Sequence, residues 1–465
     1  MDHNNFDLLV VGSGPGGQSA ALQAAGLGKR VGLIERKPHL GGVSLQTGTI
    51  PSKALREAAY LTSRFAARGM RESMQERGPR HSSFLNDAIL RKERIIDSQE
   101  SVLLKRLMSS GVTLLPGEAA FHDPHTLTLR KPDGKLERLR AQVIILATGS
   151  RPRRPADVPF DKERVLDSTS ILKLRQLPEQ LLVIGGGVIA CEFATLFAPL
   201  GVEVQLVDSH EHLLAYLDSD IQQILESDFH DMGIQLHMQT RIGTIGRDGN
   251  RVSVTTDSDT VLEADILLYA LGREPNYTNL NLEDAGLRAD DHGWVRINEQ
   301  HQTAQSHIYI IGDLAGRPSL ASTAMEQGRL AANHAFNQKQ SRTQGLLPMA
   351  IYTIPELSYV GNTERELHEQ GVSYVVGRAR FSDTARGQII GEHRGFMKVL
   401  AARDTRDLLG IHILGESASE LIHVGQMAMN CRASVDVLAD SVYNYPTLAE
   451  CYKTAALDCV RQLTA

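Results

Sequence analysis

The sequence predicts an α/β protein, on three observations. A strand, glycine turn, helix, strand design occurs twice, at DLLVVGSGPGGQSAALQAAGLGKRVGLIE (residues 7–35) and QLLVIGGGVIACEFATLFAPLGVEVQLVD (residues 180–208). Its strands are unbroken apolar runs, as in a parallel sheet covered on both faces. From residue 346 the character changes: MAIYTIPELSYVG, FMKVLAARDTRDLLGIHILG and ASELIHVGQMAMNC read as strands and a helix of an α+β domain with antiparallel hairpins. At 465 residues the chain is too long for one core, so several domains are expected.

Composition narrows the function classes. Hydrophobic residues make up 42% and charged residues 22%, ordinary for a globular protein. A net charge of −6 offers no basic stripe for nucleic acid or an anionic membrane. MDHNNFDLLVVGSG is acidic and turns at once into a strand, so it does not read as a signal peptide, and no apolar run is long enough to span a bilayer. Cys191, Cys431, Cys451 and Cys459 have no metal-ligand spacing and are expected as buried free thiols in a reducing cytoplasm. No metal site is expected; HDPH, with His122, Asp123 and His125, reads as a polar turn.

The first glycine turn presents Gly12, Gly14 and Gly17 between a strand and a helix, and Glu35 ends the next strand. The first glycine permits the tight turn and the second admits a pyrophosphate to backbone N–H groups. The third lets helix and strand pack closely, and the acid accepts from a ribose diol. The second turn, Gly185, Gly187 and Ala190, reaches its acid, Asp208, at identical spacing. Two Rossmann-like dinucleotide-binding domains follow. A carboxylate at Asp208 favours NAD(H) over NADP(H), and Ser209, His210, Glu211 and His212 supply no arginine for a phosphate.

Between the two units, residues 54–110 read as helices. QVIILATGSRP (142–152) and DILLYALGREPN (265–276) each read as a strand and glycine turn. HIYIIGD (307–313) reads as a buried strand, and SLASTAMEQGRLAANHAF as an amphipathic helix.

GSGPGG, the loop GGVSLQTGTIPSK (41–53), ATGSRP, GGGVIACE, LGREPN and the IGD strand occur in an order that resembles the flavoprotein disulfide reductases over essentially the whole chain. GTIPSKALR, RPSLAS, IYTIPE and NYPTLAE are similar to the soluble pyridine nucleotide transhydrogenase branch of that family. The resemblance implies FAD on the first unit and NAD(H) or NADP(H) on the second. It places Gly12, Gly14, Gly17, Glu35, Arg36, Gly42, Ser44, Lys53, Gly149, Gly312 and Asp313 at FAD, and Gly185, Gly187, Ala190, Asp208 and Gly272 at the nicotinamide nucleotide. The implied domains are FAD-binding in two parts (1–150 and 273–345), NAD(P)-binding (151–272) and dimerisation (346–465), giving a homodimer.

In that family the flavin loop carries C-x4-C. Here the positions are Ser44 and Thr49, which neither store two electrons nor attack a disulfide. The family's C-terminal H-P-x4-E reads YPTLAE, so Tyr445 replaces the histidine and Glu450 remains. Histidine titrates near neutrality and serves a leaving thiolate; tyrosine ordinarily does not. Tyr445 either hydrogen-bonds Glu450 or orients a ligand. Lys53, in the first turn of a helix after Pro51, and Glu192 are implied as a pair beside the flavin. Losing both parts of the dithiol machinery while keeping the flavin and nicotinamide side implies hydride exchange between NADPH and NAD⁺ by a ping-pong scheme in one nucleotide site. Asp208 strains that reading, and the runner-up is an NAD(P)H-dependent reductase of a quinone or other acceptor. A flavin-bound sensor or scaffold with little turnover is the alternative of another class. His412 and His423 are expected in the core or an interface.

Overall fold

A computed structural model describes residues 4–67, 82–277, 279–316, 318–338 and 346–464. The chain divides into two units. The first takes in Met1–Leu55, Asp87–Pro155 and Gly272–Arg342; the second takes in Arg56–Asn86, Ala156–Leu271 and Thr343–Ala465.

In the first unit, strand Asn5–Val11 runs parallel to Val31–Glu35 on one side and to Leu136–Leu146 on the other. Leu8, Leu9 and Val10 are fully buried, which the unbroken apolar run requires of a strand covered on both faces. Strand Ile308–Ile310 joins Leu136–Leu146 in parallel, while Thr126–Arg130 pairs antiparallel with its earlier residues. Helix Pro15–Gly26 starts with proline in its first turn, where the missing N–H would be unbonded anyway. Its buried alanines, Ala20, Ala21 and Ala24, let it lie close against helix Ala321–Ala335, where Gly328 leaves room for the Gly16 carbonyl.

The second unit repeats the design with an all-parallel sheet. Its order is Gln235–His237, Glu203–Val207, Gln180–Ile184, Ile266–Tyr269 and Val165–Asp167. Residues from Met349 onward form an antiparallel sheet with strands Leu357–Gly361, Tyr374–Arg380, Phe396–Ala402 and Leu408–Leu414. Helices Ala418–Asn430 and Glu450–Thr464 cover it, burying Ile422, Tyr452, Ala455 and Cys459.

The helices expected over 54–110 are Thr49–Ala67 and Ser82–Ser109, and the stretch between them lies outside the described residues. GGVSLQTGTIPSK departs from the loop expected. Gly42–Gln46 is a short helix entered from a left-handed Gly41, and Thr49 already opens the next helix. The cysteine expectation is corrected at one position. Cys191, Cys451 and Cys459 are buried, but Cys431 is exposed because it follows the last turn of Ala418–Asn430. No helix among the described residues is long and apolar enough to cross a membrane.

Candidate active site

Strands Asn5–Val11, Leu136–Leu146 and Ile308–Ile310 are parallel neighbours, so their C-terminal ends open into one crevice, where open α/β sheets bind ligands. The first glycine turn leaves the first strand there. Gly149 lies just beyond the second and Gly312 and Asp313 just beyond the third, so the fold brings these sequence-predicted residues together.

Gly17 must lack a side chain, because a Cβ would run into the Gly12 carbonyl. A Cβ on Gly14 would meet nothing within 4 Å, which is the open approach a diphosphate needs. Glu35 ends strand Val31–Glu35. Its Oε2 accepts from the Ser13 N–H at 3.0 Å and the Ser13 hydroxyl at 2.6 Å, and its Oε1 accepts from the Lys37 N–H at 2.9 Å. Ser13 is fully buried and its oxygen also accepts from the Gly41 N–H at 3.0 Å, tying the short helix of Gly42 and Ser44 to the turn. Arg36 reaches Asn276 at 3.5 Å and Glu118 at 3.9 Å around a pocket that also borders Gly12, Glu35, Thr148 and Tyr277.

Asp313 accepts from the Ser150 hydroxyl at 2.6 Å, and Arg273 donates to that hydroxyl at 2.7 Å. The Gly312 N–H is taken by Gln327 at 2.7 Å. Gly272, expected near the nicotinamide nucleotide, falls in the first unit, where its carbonyl accepts from the Arg153 N–H at 3.2 Å. Thr148 Oγ1 and Thr323 Oγ1 are buried without a hydrogen-bond partner among the described residues. An orphaned hydroxyl at Thr148, beside the open first glycine turn, fits a bound dinucleotide.

In the second unit, Gly185 leaves strand Gln180–Ile184 with a positive φ of 116°, Gly187 faces open space and Ala190 is fully buried against the sheet. Asp208 follows strand Glu203–Val207. Its Oδ2 accepts from the Gly186 N–H at 2.5 Å, and its Oδ1 accepts from the His210 N–H at 2.8 Å and bonds the His210 ring Nδ1 at 2.6 Å. Gly186 is glycine for this reason, since a Cβ there would lie 3.0 Å from the Asp208 carboxyl carbon. Ser13 and Gly186 were missed by sequence reading, which treats the positions between the signature glycines as variable.

Glu192 stands on helix Val188–Phe197 and accepts from the Tyr352 N–H at 2.8 Å; one turn on, the Thr195 hydroxyl accepts from the Ile354 N–H at 3.2 Å. Lys53 is half-buried near the start of helix Thr49–Ala67. Tyr445 is 75% exposed, with no hydrogen-bond partner among the described residues. Glu450 instead accepts from the Thr447 N–H at 3.2 Å at the start of the last helix, so the Tyr445–Glu450 bond is not made within the chain.

Elsewhere in the second unit, Lys398 is fully buried in strand Phe396–Ala402. Its Nζ lies 2.8 Å from Asp218, 2.7 Å from Asp220 and 2.9 Å from Glu364, filling a trio of carboxylates that has the spacing of a cation site. Burial would lower the lysine's pKa, but the carboxylates hold it above its ordinary value. His412 is a core residue stacked on Tyr359, whereas His423 is exposed and bonds Gln426. The HDPH turn closes through the His125 N–H donating to Asp123 at 2.8 Å.

Comparison with known proteins matches this architecture over nearly the whole chain. The sequence profile described as pyridine nucleotide-disulphide oxidoreductase matches residues 6–328, and that of the corresponding dimerisation domain matches residues 347–456. The chain is 40% identical over 470 residues to a soluble pyridine nucleotide transhydrogenase of Mycobacterium tuberculosis, covering 99% of this chain and 98% of that one. It is 40% identical over 468 residues to the protein of that name in Yersinia enterocolitica, covering 100% of both. Among solved structures, LpdA from Mycobacterium tuberculosis superimposes with a TM-score of 0.89 at 28% identity, covering 98% of this chain and 100% of that one. The copper(II) complex of the HOCl-induced flavoprotein disulfide reductase RclA from Escherichia coli gives 0.87 at 25% identity, covering 98% and 99%.

Proposed function

The chain belongs to the pyridine nucleotide-disulphide oxidoreductase family, and from that membership we propose that it is an FAD-dependent transhydrogenase, converting NADPH and NAD⁺ to NADP⁺ and NADH. One observation separates it from the family's disulphide chemistry. The first unit contains no cysteine, and the helices at its glycine turn carry Ser44 and Thr49 where a dithiol would act.

FAD, when bound, supplies the store for two electrons between the half-reactions. The residues do the positioning. Gly12, Gly14 and Gly17 admit the FAD diphosphate to the N-terminus of helix Pro15–Gly26, with Glu35 and Arg36 at the adenosine end. Gly42, Ser44, Gly149, Gly312 and Asp313 frame the crevice of the same cofactor, and Lys53 sets a positive charge beside it. In the second unit Gly185, Gly187, Ala190 and Asp208 hold the nicotinamide nucleotide. Glu192 is assigned to the catalytic set of the second unit, its carboxylate held in place by the Tyr352 N–H. Tyr445 and Glu450 complete the catalytic set from the C-terminal segment. With one such nucleotide turn, donor and acceptor occupy the site in succession, so product leaves before the acceptor enters.

The matched dimerisation domain makes the working form a homodimer. The division into residues 1–150 and 273–345 for FAD, 151–272 for NAD(P) and 346–465 for dimerisation belongs to the same proposal, as does a cytoplasmic location. Mixing the FAD-loaded enzyme with NADPH and thio-NAD⁺ tests the function by the absorbance of reduced thio-NAD. No transfer, alongside rapid quinone reduction by NADH, defeats the proposal and leaves the quinone-reductase reading.

A further inference from the structure

NADP(H) and NAD(H) differ by one phosphate on the adenosine 2′ oxygen, and a transhydrogenase accepts both in one site. Asp208 alone repels that phosphate. In the structure it does not stand alone. One carboxylate oxygen is taken by the Gly186 N–H at 2.5 Å, and the other lies 2.6 Å from the His210 ring Nδ1. Asp208 is 7% exposed while the His210 side chain is 68% exposed, so the acid lies beneath and the imidazole stands toward solvent. With Nδ1 engaged, Nε2 is the ring nitrogen left for a ligand.

Resting on the transhydrogenase reading, we infer that His210 and Asp208 form a proton-operated selector for the 2′ position of the bound nucleotide. With the ring neutral the pair carries the Asp208 charge, which suits a 2′-hydroxyl. With the ring protonated the imidazolium cancels that charge, and Nε2–H donates a charge-assisted hydrogen bond to a 2′-phosphate. NADP(H) binding therefore takes up a proton wherever the free site is unprotonated, and NAD(H) binding does not.

The surroundings leave this task to His210. From Asp208 to Asp218 the chain has no lysine or arginine, so His210 and His212 are that loop's sources of positive charge. His212 Nδ1 is engaged with Glu226 of helix Ser219–Asp231 at 3.3 Å. The loop's other acids are Glu211 and Asp218, the latter bonded to Lys398 at 2.8 Å. His237, whose carbonyl accepts from the Asp208 N–H at 3.1 Å, is half-buried, and burial pushes its pKa down. The His210 carbonyl accepts from the Gln239 N–H at 2.9 Å, and the next cation along that strand exit, Arg241, is exposed.

The test is calorimetric binding of adenosine 2′,5′-bisphosphate and 5′-AMP to the FAD-loaded dimer from about pH 5.5 to about pH 8.5, across the histidine range. The 2′-phosphate gains charge through about pH 6 on its own, and His210→Gln keeps that effect while removing the imidazole. In the native enzyme the preference for the bisphosphate over 5′-AMP should fall about tenfold or more toward high pH relative to His210→Gln, one pKa unit of coupling or more. His210→Arg should bind the bisphosphate more tightly than the native enzyme at the alkaline end. Superimposable ratio profiles for the native enzyme and His210→Gln overturn the inference, as does His210→Arg with no gain. Reduction of the bound flavin by NADH and NADPH is followed on the same samples. Its failure defeats the transhydrogenase reading while leaving the ratio to be judged separately.

Discussion

The Ser13 hydroxyl donates to Glu35 Oε2 at 2.6 Å and, through the same oxygen, accepts from the Gly41 N–H at 3.0 Å. One fully buried side chain thus ties the first glycine turn, its acid and the short helix that follows. Ser13→Ala leaves the Gly41 N–H without its partner, a cost of about 1–3 kcal/mol. The expected outcome is a folded chain with lower FAD content after gel filtration in dilute urea. Unchanged FAD retention would falsify the linking role.

Lys398 is fully buried among Asp218, Asp220 and Glu364. Lys398→Met strands those carboxylates and should lower stability by about 3–5 kcal/mol. Burial alone would raise the pKa of Asp218, but the Lys398 ammonium depresses it. Its stabilising contribution is therefore present above the unfolded carboxylate range and is lost as pH falls through the folded value. The gap between native and variant melting temperatures should narrow in acid. A gap that is constant with pH contradicts this account.

Asp228 is 2% exposed, and its pKa is raised to about 7 by burial, with Arg394 at 3.0 Å opposing and Glu392 adding to the rise. A carboxyl that holds its proton more tightly when folded contributes stability at low pH, and that contribution is lost as pH rises through about 7. Asp228→Asn should thus be more stable than the native protein at about pH 8, by about 1–4 kcal/mol, and lose that advantage near about pH 4. Denaturant melts at the two pH values decide it.

Burial raises the thiol pKa of Cys451 and of Cys459 to about 12, and Cys191 is pushed higher still. Iodoacetamide should alkylate Cys431 alone in the folded enzyme, with transhydrogenation retained. Mass spectrometry of the alkylated enzyme alongside its activity is the check. Activity lost in step with a single modification would place a thiol in the chemistry.

Repetition made the two glycine turns legible in the sequence, since glycine spacing, flanking apolar runs and a closing acid are all local signals. Their surroundings were less so. Ser13 and Gly186 occupy positions the signature leaves open, and only the fold shows a carboxylate resting on each. Asp208 reads as a free acceptor until strand ends bring Gly186 and His210 onto it. Lys398 sits in FMKVLAA, an otherwise apolar run, and its three acids come from segments remote in sequence. The Gly42–Gln46 helix is too short to carry a periodic signal.

Glu192 and Thr195 hold the backbone N–H groups of Tyr352 and Ile354 with side chains from a helix more than a hundred residues earlier. The span proposed for the nicotinamide nucleotide is therefore not a cassette. A chimera that exchanges residues 151–272 for those of a relative, to borrow its nucleotide preference, leaves residues 352–354 facing foreign side chains. Grafts that carry both segments preserve the seam, and recombination between homologous genes should tolerate crossovers that keep the two together.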